Sequence, residues 1–334
     1  MKANTACGKP ATELRSIHLE RVQRKMAMVN LALPTAGAAL AIYLGISTTF
    51  YVSMAWLWAA MHLATMLGIT AGFHRLAAHR SFSAIVPVKT ILLGLGSMAS
   101  QGPPVYWVSN HRRHHEFSDQ PGDPHSPVNQ RETAGILSSV KGLVHAHMGW
   151  LLSEPITNPM RYSRDLLKDP AVMRVNRNYQ LWVLAGLLAP AALGVLILRS
   201  AQGGLLGFLW GGLLRVFTVH HTTWCINSLT HAIGQRPFAT ADNSRNLAWL
   251  SLASAGESWH NGHHAFPTSA RFGLEWWQLD LGYLLIAGLG MLGLAKDIRI
   301  PGQVRIDSFG QRNPADPAPA TNTEKEYFHA IQND

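Results

Sequence analysis

The chain has 334 residues, of which 47% are hydrophobic and 14% charged, with a formal net charge of +9. A mean hydropathy of +0.05 is too apolar for an ordinary soluble protein and too polar for a transporter embedded along its whole length. Two cysteines, Cys7 and Cys225, exclude a disulfide framework and a cysteine-based zinc site. Any metal must be held by histidine.

Residues 1–27 read as a basic N-terminal segment with no convincing cleavage site for a removable signal. A helix needs about 20 apolar residues to cross a bilayer, and four stretches qualify. They are 28–46, 49–70, 179–198 and 205–225, the last interrupted by Arg215. Val88–Ser100 is too short to span and reads as a buried or re-entrant helix. Leu281–Ala295 reads as an amphipathic helix lying on the membrane. The spans and the segments between them form one domain, 28–302. The tail 303–334, with "NPADPAPATN", reads as disordered. Of 28 basic residues, 26 fall on one side of these spans, which the positive-inside rule makes cytoplasmic. Both termini and every histidine cluster lie on that side. The expected architecture is an all-α integral membrane protein, two helical hairpins carrying a cytoplasmic helical cap.

The cap holds the chemistry. Residues 111–115 read HRRHH, and the spacing returns in "WHNGHHAFP" with His260, His263 and His264. Residues at i, i+3 and i+4 share a helix face, so each triplet is expected to converge on one point. His74 and His79, in "GFHRLAAHRSF", are five apart and turn through about 140° on an ideal helix. They need a helix end, a local bulge or two different metals. Asn227 and His231, in "CINSLTHAIG", share a face near the end of the fourth span. These imidazoles exceed what one metal binds, so two metals fit better. Nitrogen-rich ligation suits zinc, iron or copper; zinc implies hydrolysis, and no serine or carboxylate stands out as its partner. A pair of redox-active irons is the more natural reading. His220 and His221 flank Trp224 and read as pocket-lining groups. His125, beside Asp123, reads as an orienting group. His145 and His147 read as capping or lining residues, and His18 as solvated.

The order "GITAGFHRLAAHRSF", "HRRHHEFSDQPGDPH", "HMGWLL", "NSLTHAIGQRPF" and "ESWHNGHHAFPTSARFGLEWWQLD" closely resembles the membrane-bound fatty acid desaturases of the stearoyl, Δ9-like type. The resemblance covers roughly residues 68–280. It implies four spans beneath a cap, two iron ions, and O2 as co-substrate in removing two hydrogens from an acyl chain to leave a cis double bond. By the family pattern the metal ligands and catalytic set are His74, His79, His111, His114, His115, His231, His260, His263 and His264. Asn227 would hold one iron through a water. The pattern does not divide these ligands between the irons.

Acyl-CoA members of that family carry an Arg-Asp pair just before the second box; Ser109 and Asn110 stand there in this chain. The carrier of the acyl group is therefore open among CoA, acyl carrier protein and a membrane lipid, each anionic and suited to a basic surface. No segment reads as a fused redox domain, so a separate ferredoxin- or cytochrome b5-type donor is expected. Nothing points to nucleic acid. Trp107, Trp150, Trp224 and Trp259 are candidate walls of an acyl tunnel, and Trp58 with His62, four apart on the second span, are candidates to close it. The nearest alternative activities are hydroxylation, ketone formation or acetylenic-bond formation on the same scaffold. A histidine-rich metal transporter is the alternative from another class, and it would place ionisable residues at mid-membrane. A bacterial inner membrane is the expected location.

Overall fold

The computed structural model describes residues 11–47, 51–128, 135–153 and 155–310, and these are overwhelmingly helical. Four helices among them are long and apolar enough to cross a membrane: Ile17–Ser47, Val52–Ala78, Tyr179–Leu198 and Ala201–His231. The protein is an integral membrane protein. The third span has the bounds expected from sequence. The first begins eleven residues earlier than residue 28, because the charged turns around Glu20, Arg21, Arg24 and Lys25 are good helix formers and nothing breaks the helix there. At 31 residues it is about 46 Å long, well beyond the hydrocarbon thickness of about 30 Å. Its N-terminal third therefore projects past the membrane and becomes part of the cap.

The second and fourth spans also run past the ends expected from hydropathy, to Ala78 and His231. Each contains a π-helical stretch, Gly68–Ala78 and Phe208–Leu214. Arg215 follows the second of these stretches. Its guanidinium is fully buried and donates to the carbonyls of Gly211, Met98 and Gly186. Gly186 is four residues before Pro190, which has no N–H to offer it, and Met98 ends a helix whose last carbonyls also lack partners. The arginine that interrupts the fourth span thus satisfies the carbonyls that two neighbouring helices leave open.

Val86–Met98 is the short buried helix expected from the sequence, wedged between the second and third spans. The approach is so close that a Cβ on Gly68 would collide with the backbone of Gly96. Leu281–Met291 is not amphipathic as expected. It carries no charged residue, buries Gly282 and Ile286, and exposes Leu284 and Met291, so apolar side chains cover it all round. The tail expected to be disordered from 303 begins with a helix, Gln303–Gly310. Ile306 packs on the Phe238–Phe266 cluster and Arg305 lies over the Phe266 ring, which anchors it. The remainder of that tail and residues 1–10 lie outside the described residues.

Buried ion pairs tie the cap to the spans. Arg112 donates to both oxygens of Asp165, at 2.7 and 3.0 Å, and to the carbonyls of Ala77, Ala78 and Tyr162. This locks the second histidine box to the end of the second span. Arg75 Nη2 donates to both oxygens of Asp280, at 2.9 and 3.1 Å, and the guanidinium lies 3.8 Å from the Phe272 ring centroid. Asp280 also accepts from the backbone of Phe272 and Tyr283. Removing one partner of such a buried pair leaves an uncompensated charge and costs about 3–5 kcal/mol. Asp280→Ala should therefore lose about that much stability in detergent unfolding, with Asp280→Asn recovering part. An Asp280→Ala protein as stable as wild type would show that this pair does not hold the cap.

Candidate metal centre

The problem posed by His74 and His79 is solved by the π-helix that carries them. In this stretch each N–H reaches back five residues, and the His79 amide donates to the His74 carbonyl at 3.0 Å. The wider turn brings residues five apart closer to one face than an α-helix does, and the two rings lie 4.9 Å apart. The local bulge is the alternative that the structure adopts.

The two HxxHH triplets do not each converge on one point. Relative to position i, position i+4 is rotated by about +40° and i+3 by about −60°, so i and i+4 pair while i+3 turns away. On the helix Pro104–Phe117 the rings of His111 and His115 are 4.6 Å apart, and those of His111 and His114 6.3 Å. On His260–Ala265, His260 and His264 are 4.4 Å apart, and His260 and His263 5.8 Å. Two groups result. His74, His79, His111, His115 and His263 form one; His114, His231, His260 and His264 form the other. Each triplet gives two ligating candidates to one group and one to the other, which knits the groups together. All nine side chains are buried.

Four carboxylates set the tautomers. Nδ1 of His74 donates to Glu257, that of His114 to Asp123 at 2.9 Å, that of His231 to Asp119 at 2.9 Å and that of His264 to Asp242 at 2.6 Å. A proton held on Nδ1 leaves Nε2 as a lone pair. Those lone pairs face inward. His231 and His264 both meet His260 Nε2 at 3.0 Å, and His74 and His115 meet His263 Nε2 at 3.0 and 2.9 Å. One proton on His260 cannot satisfy two lone pairs, and His114 Nε2 is buried with no hydrogen-bond partner at all. A cation at the centre of each group resolves both difficulties, so the residues fit a pair of metals.

The electrostatics agree. Burial, reinforced by the charges of neighbouring histidines, holds His79, His111, His115, His260 and His263 well below the usual imidazole range. They are neutral, as ligands must be. Burial alone would push Asp119, Asp123, Asp242 and Glu257 up. Attraction to the histidine donor each one faces and the hydrogen bonds to it outweigh burial, and all four are held down.

A cavity of about 520 Å³ runs from the projecting end of the first span to this centre and reaches His111, His125 and Asn227. Trp107, Trp150 and Trp224 line it. Trp107 stacks on His111, with centroids 5.0 Å apart, and donates to Gln101, which donates in turn to Thr223. The other three tunnel candidates are not on its walls. Trp58 donates to Thr218, His62 bonds Thr218 and the Ala253 carbonyl, and Trp259 donates to the Leu279 carbonyl. Each is tied down by a partner of its own. His220 lines the cavity; His221 instead bonds His147, and His18 is exposed.

Sequence reasoning missed Glu257, Asp119 and Asp242 and noted Asp123 only as a neighbour of His125. Asp119 and Asp123 follow the second box closely enough to have been suspected. Asp242 and Glu257 reach histidines 22 and 183 residues away in the chain, and no spacing rule foretells that.

A family model described as fatty acid desaturase matches residues 52–289. The chain is 43% identical over 295 residues to a hex-5-enoyl-(acyl-carrier protein) acetylenase of Moorena producens (strain JHB), covering 87% of this chain and 91% of that one. It is 37% identical over 252 residues to an sn-1 stearoyl-lipid 9-desaturase of Anabaena variabilis, covering 73% and 85%. It is 39% identical over 258 residues to an enzyme of the same description from Synechocystis sp., covering 75% and 74%.

Loss of an orienting partner typically weakens metal binding about 10–100-fold. Asp242→Ala should weaken the four-histidine group by that factor in chelator competition and spare the five-histidine group. Glu257→Ala should do the reverse. Equal loss from both groups in either variant would contradict the division.

Proposed function

The chain belongs to the fatty acid desaturase family, and on that premise we propose that it removes two hydrogens from adjacent carbons of an acyl chain in an O2-dependent reaction at a di-iron centre. The observation that carries this reading is a largely apolar cavity that reaches His111, a member of one of two adjoining groups of inward-facing imidazoles. Iron in both groups, held by the nine histidines with Asn227 assisting through a water, would supply the activation of O2. The reaction takes two electrons and two protons and yields two waters, so an electron donor is required.

The chain's own residues supply the rest. The four carboxylates keep imidazole lone pairs turned toward the metals. Trp107, fixed through Gln101, holds the acyl chain against the face of the centre that His111 presents. Trp150 and Trp224 exclude water from the reacting carbons, and a chain held in one pose gives one position of reaction.

The product from a saturated chain is a cis double bond, Δ9-like in position. A second reading is favoured by the Moorena relative, which matches nearly its full length: a chain that already carries a double bond would leave as an acetylene. The carrier is an acyl carrier protein or a lipid rather than CoA. Ser109 is buried and bonded to Ser163, and Asn110 accepts from Thr157; neither offers a phosphate a cation. The cap and both termini lie on the cytoplasmic side.

Expression in a host without desaturation, followed by lipid and thioester analysis, should reveal a new double or triple bond. His114→Ala or His263→Ala should abolish it while the spans still insert. Asn227→Ala should retain about 1–10% of activity with folding intact. Near-normal product from either histidine variant would sink the assignment, and zinc alone in the purified protein would revive the transporter.

A further inference from the structure

Three elements meet at the inner end of the cavity. Asn30 comes from the first span, Ser100 from the turn after Val86–Met98, and His220 from the fourth span, and all three line the cavity. They are cross-bonded. Asn30 Nδ2 donates to the Ser100 carbonyl at 3.0 Å, and Ser100 Oγ donates to Asn30 Oδ1 at 3.0 Å. His220 Nε2 donates to the carbonyl of Ala99, the adjacent residue, at 2.8 Å. The result is a polar crossbar between two spans.

The spans set its depth. On the fourth span the lining residues are His220, Thr223, Trp224 and Asn227, a single helical stripe. His220 precedes Asn227 by seven residues, so it lies about 10.5 Å deeper. On the first span the lining stripe descends from Leu19 and ends at Asn30. An extended chain advances about 1.2 Å per bond, since three bonds of an extended peptide span about 3.5 Å. The space between the level of Asn227, which lines the same cavity as His111, and the crossbar holds about eight carbons.

We propose that Asn30, Ser100 and His220 form the distal stop of the acyl cavity, which admits a tail of no more than about eight carbons beyond the reacting pair. This rests on reading the cavity as the acyl site. It moves the stop from the second span, where Trp58 and His62 are bonded elsewhere, to a junction of the first and fourth.

The test uses the full-length, iron-loaded protein and acyl N-acetylcysteamine thioesters of even length from six to twenty carbons, measuring affinity and turnover together. Affinity should rise about fourfold per carbon while methylenes are being buried and then flatten once the tail meets the stop. Asn30→Ala with His220→Leu should shift that break, and the longest chain turned over, upward by two or more carbons. Ala27→Phe narrows the cavity about one turn above Asn30 and should shift both downward by about four carbons. The new bond should keep its distance from the thioester in every variant. An affinity series without a break, or a break that neither variant moves while metal content is unchanged, overturns the stop. A break that moves as expected, with no turnover of any chain, supports the stop and overturns the proposed reaction instead.

Discussion

Everything in this protein depends on keeping imidazole lone pairs pointed at one another in the buried interior of the cap. Left to themselves, nine buried histidines would turn their donors toward acceptors and collapse into ordinary hydrogen bonds. Carboxylates prevent this at four of the nine, by holding the Nδ1 proton on the far side of the ring. The carboxylates need those imidazole donors in turn, since a buried and unpartnered carboxylate would be protonated. Each side makes the other tenable, and the unresolved repulsion is left at two points where a cation belongs.

The membrane spans serve this arrangement as rigid supports. The second and fourth continue past their apolar stretches into the cap and deliver His74 and His231 at their ends. Arg112 then clamps the last carbonyls of the second span to the helix bearing His111, His114 and His115. Each HxxHH helix contributes histidines to both groups, so the two groups share one scaffold. A helix packed this way has little freedom to relax, which suits a centre whose ligands must stay put.

The same scaffold shapes the cavity. The first span projects beyond the membrane and forms one wall, the fourth forms the opposite wall, and the turn at Ala99–Ser100 closes the space between them. Polar side chains on these walls are spent on each other, as in the Gln101–Thr223 and Asn30–Ser100 pairs. These pairs give the cavity walls polar groups that are bonded to one another rather than left unpartnered.

The sequence by itself determined the fold class, the spans and the nine histidines, because hydropathy over 20 residues and ligand spacing over five are local quantities. It could not decide how the histidines are shared. That outcome turns on the angular difference between i+3 and i+4 once two helices face each other, and on a π-helix that the residues of "GITAGFHRLAA" do not announce. Nor could it find Glu257 or Asp242, whose partners are brought to them only by the folded chain. Trp58 and His62 show the limit most plainly. Their spacing on one helix face is legible in the sequence, but Thr218 and the Ala253 carbonyl, far away in the chain, decide what that face touches. Local patterns follow from covalent geometry, whereas the division of the metal groups, the carboxylate partners and the end of the cavity follow from contacts between distant segments, which only the tertiary structure supplies.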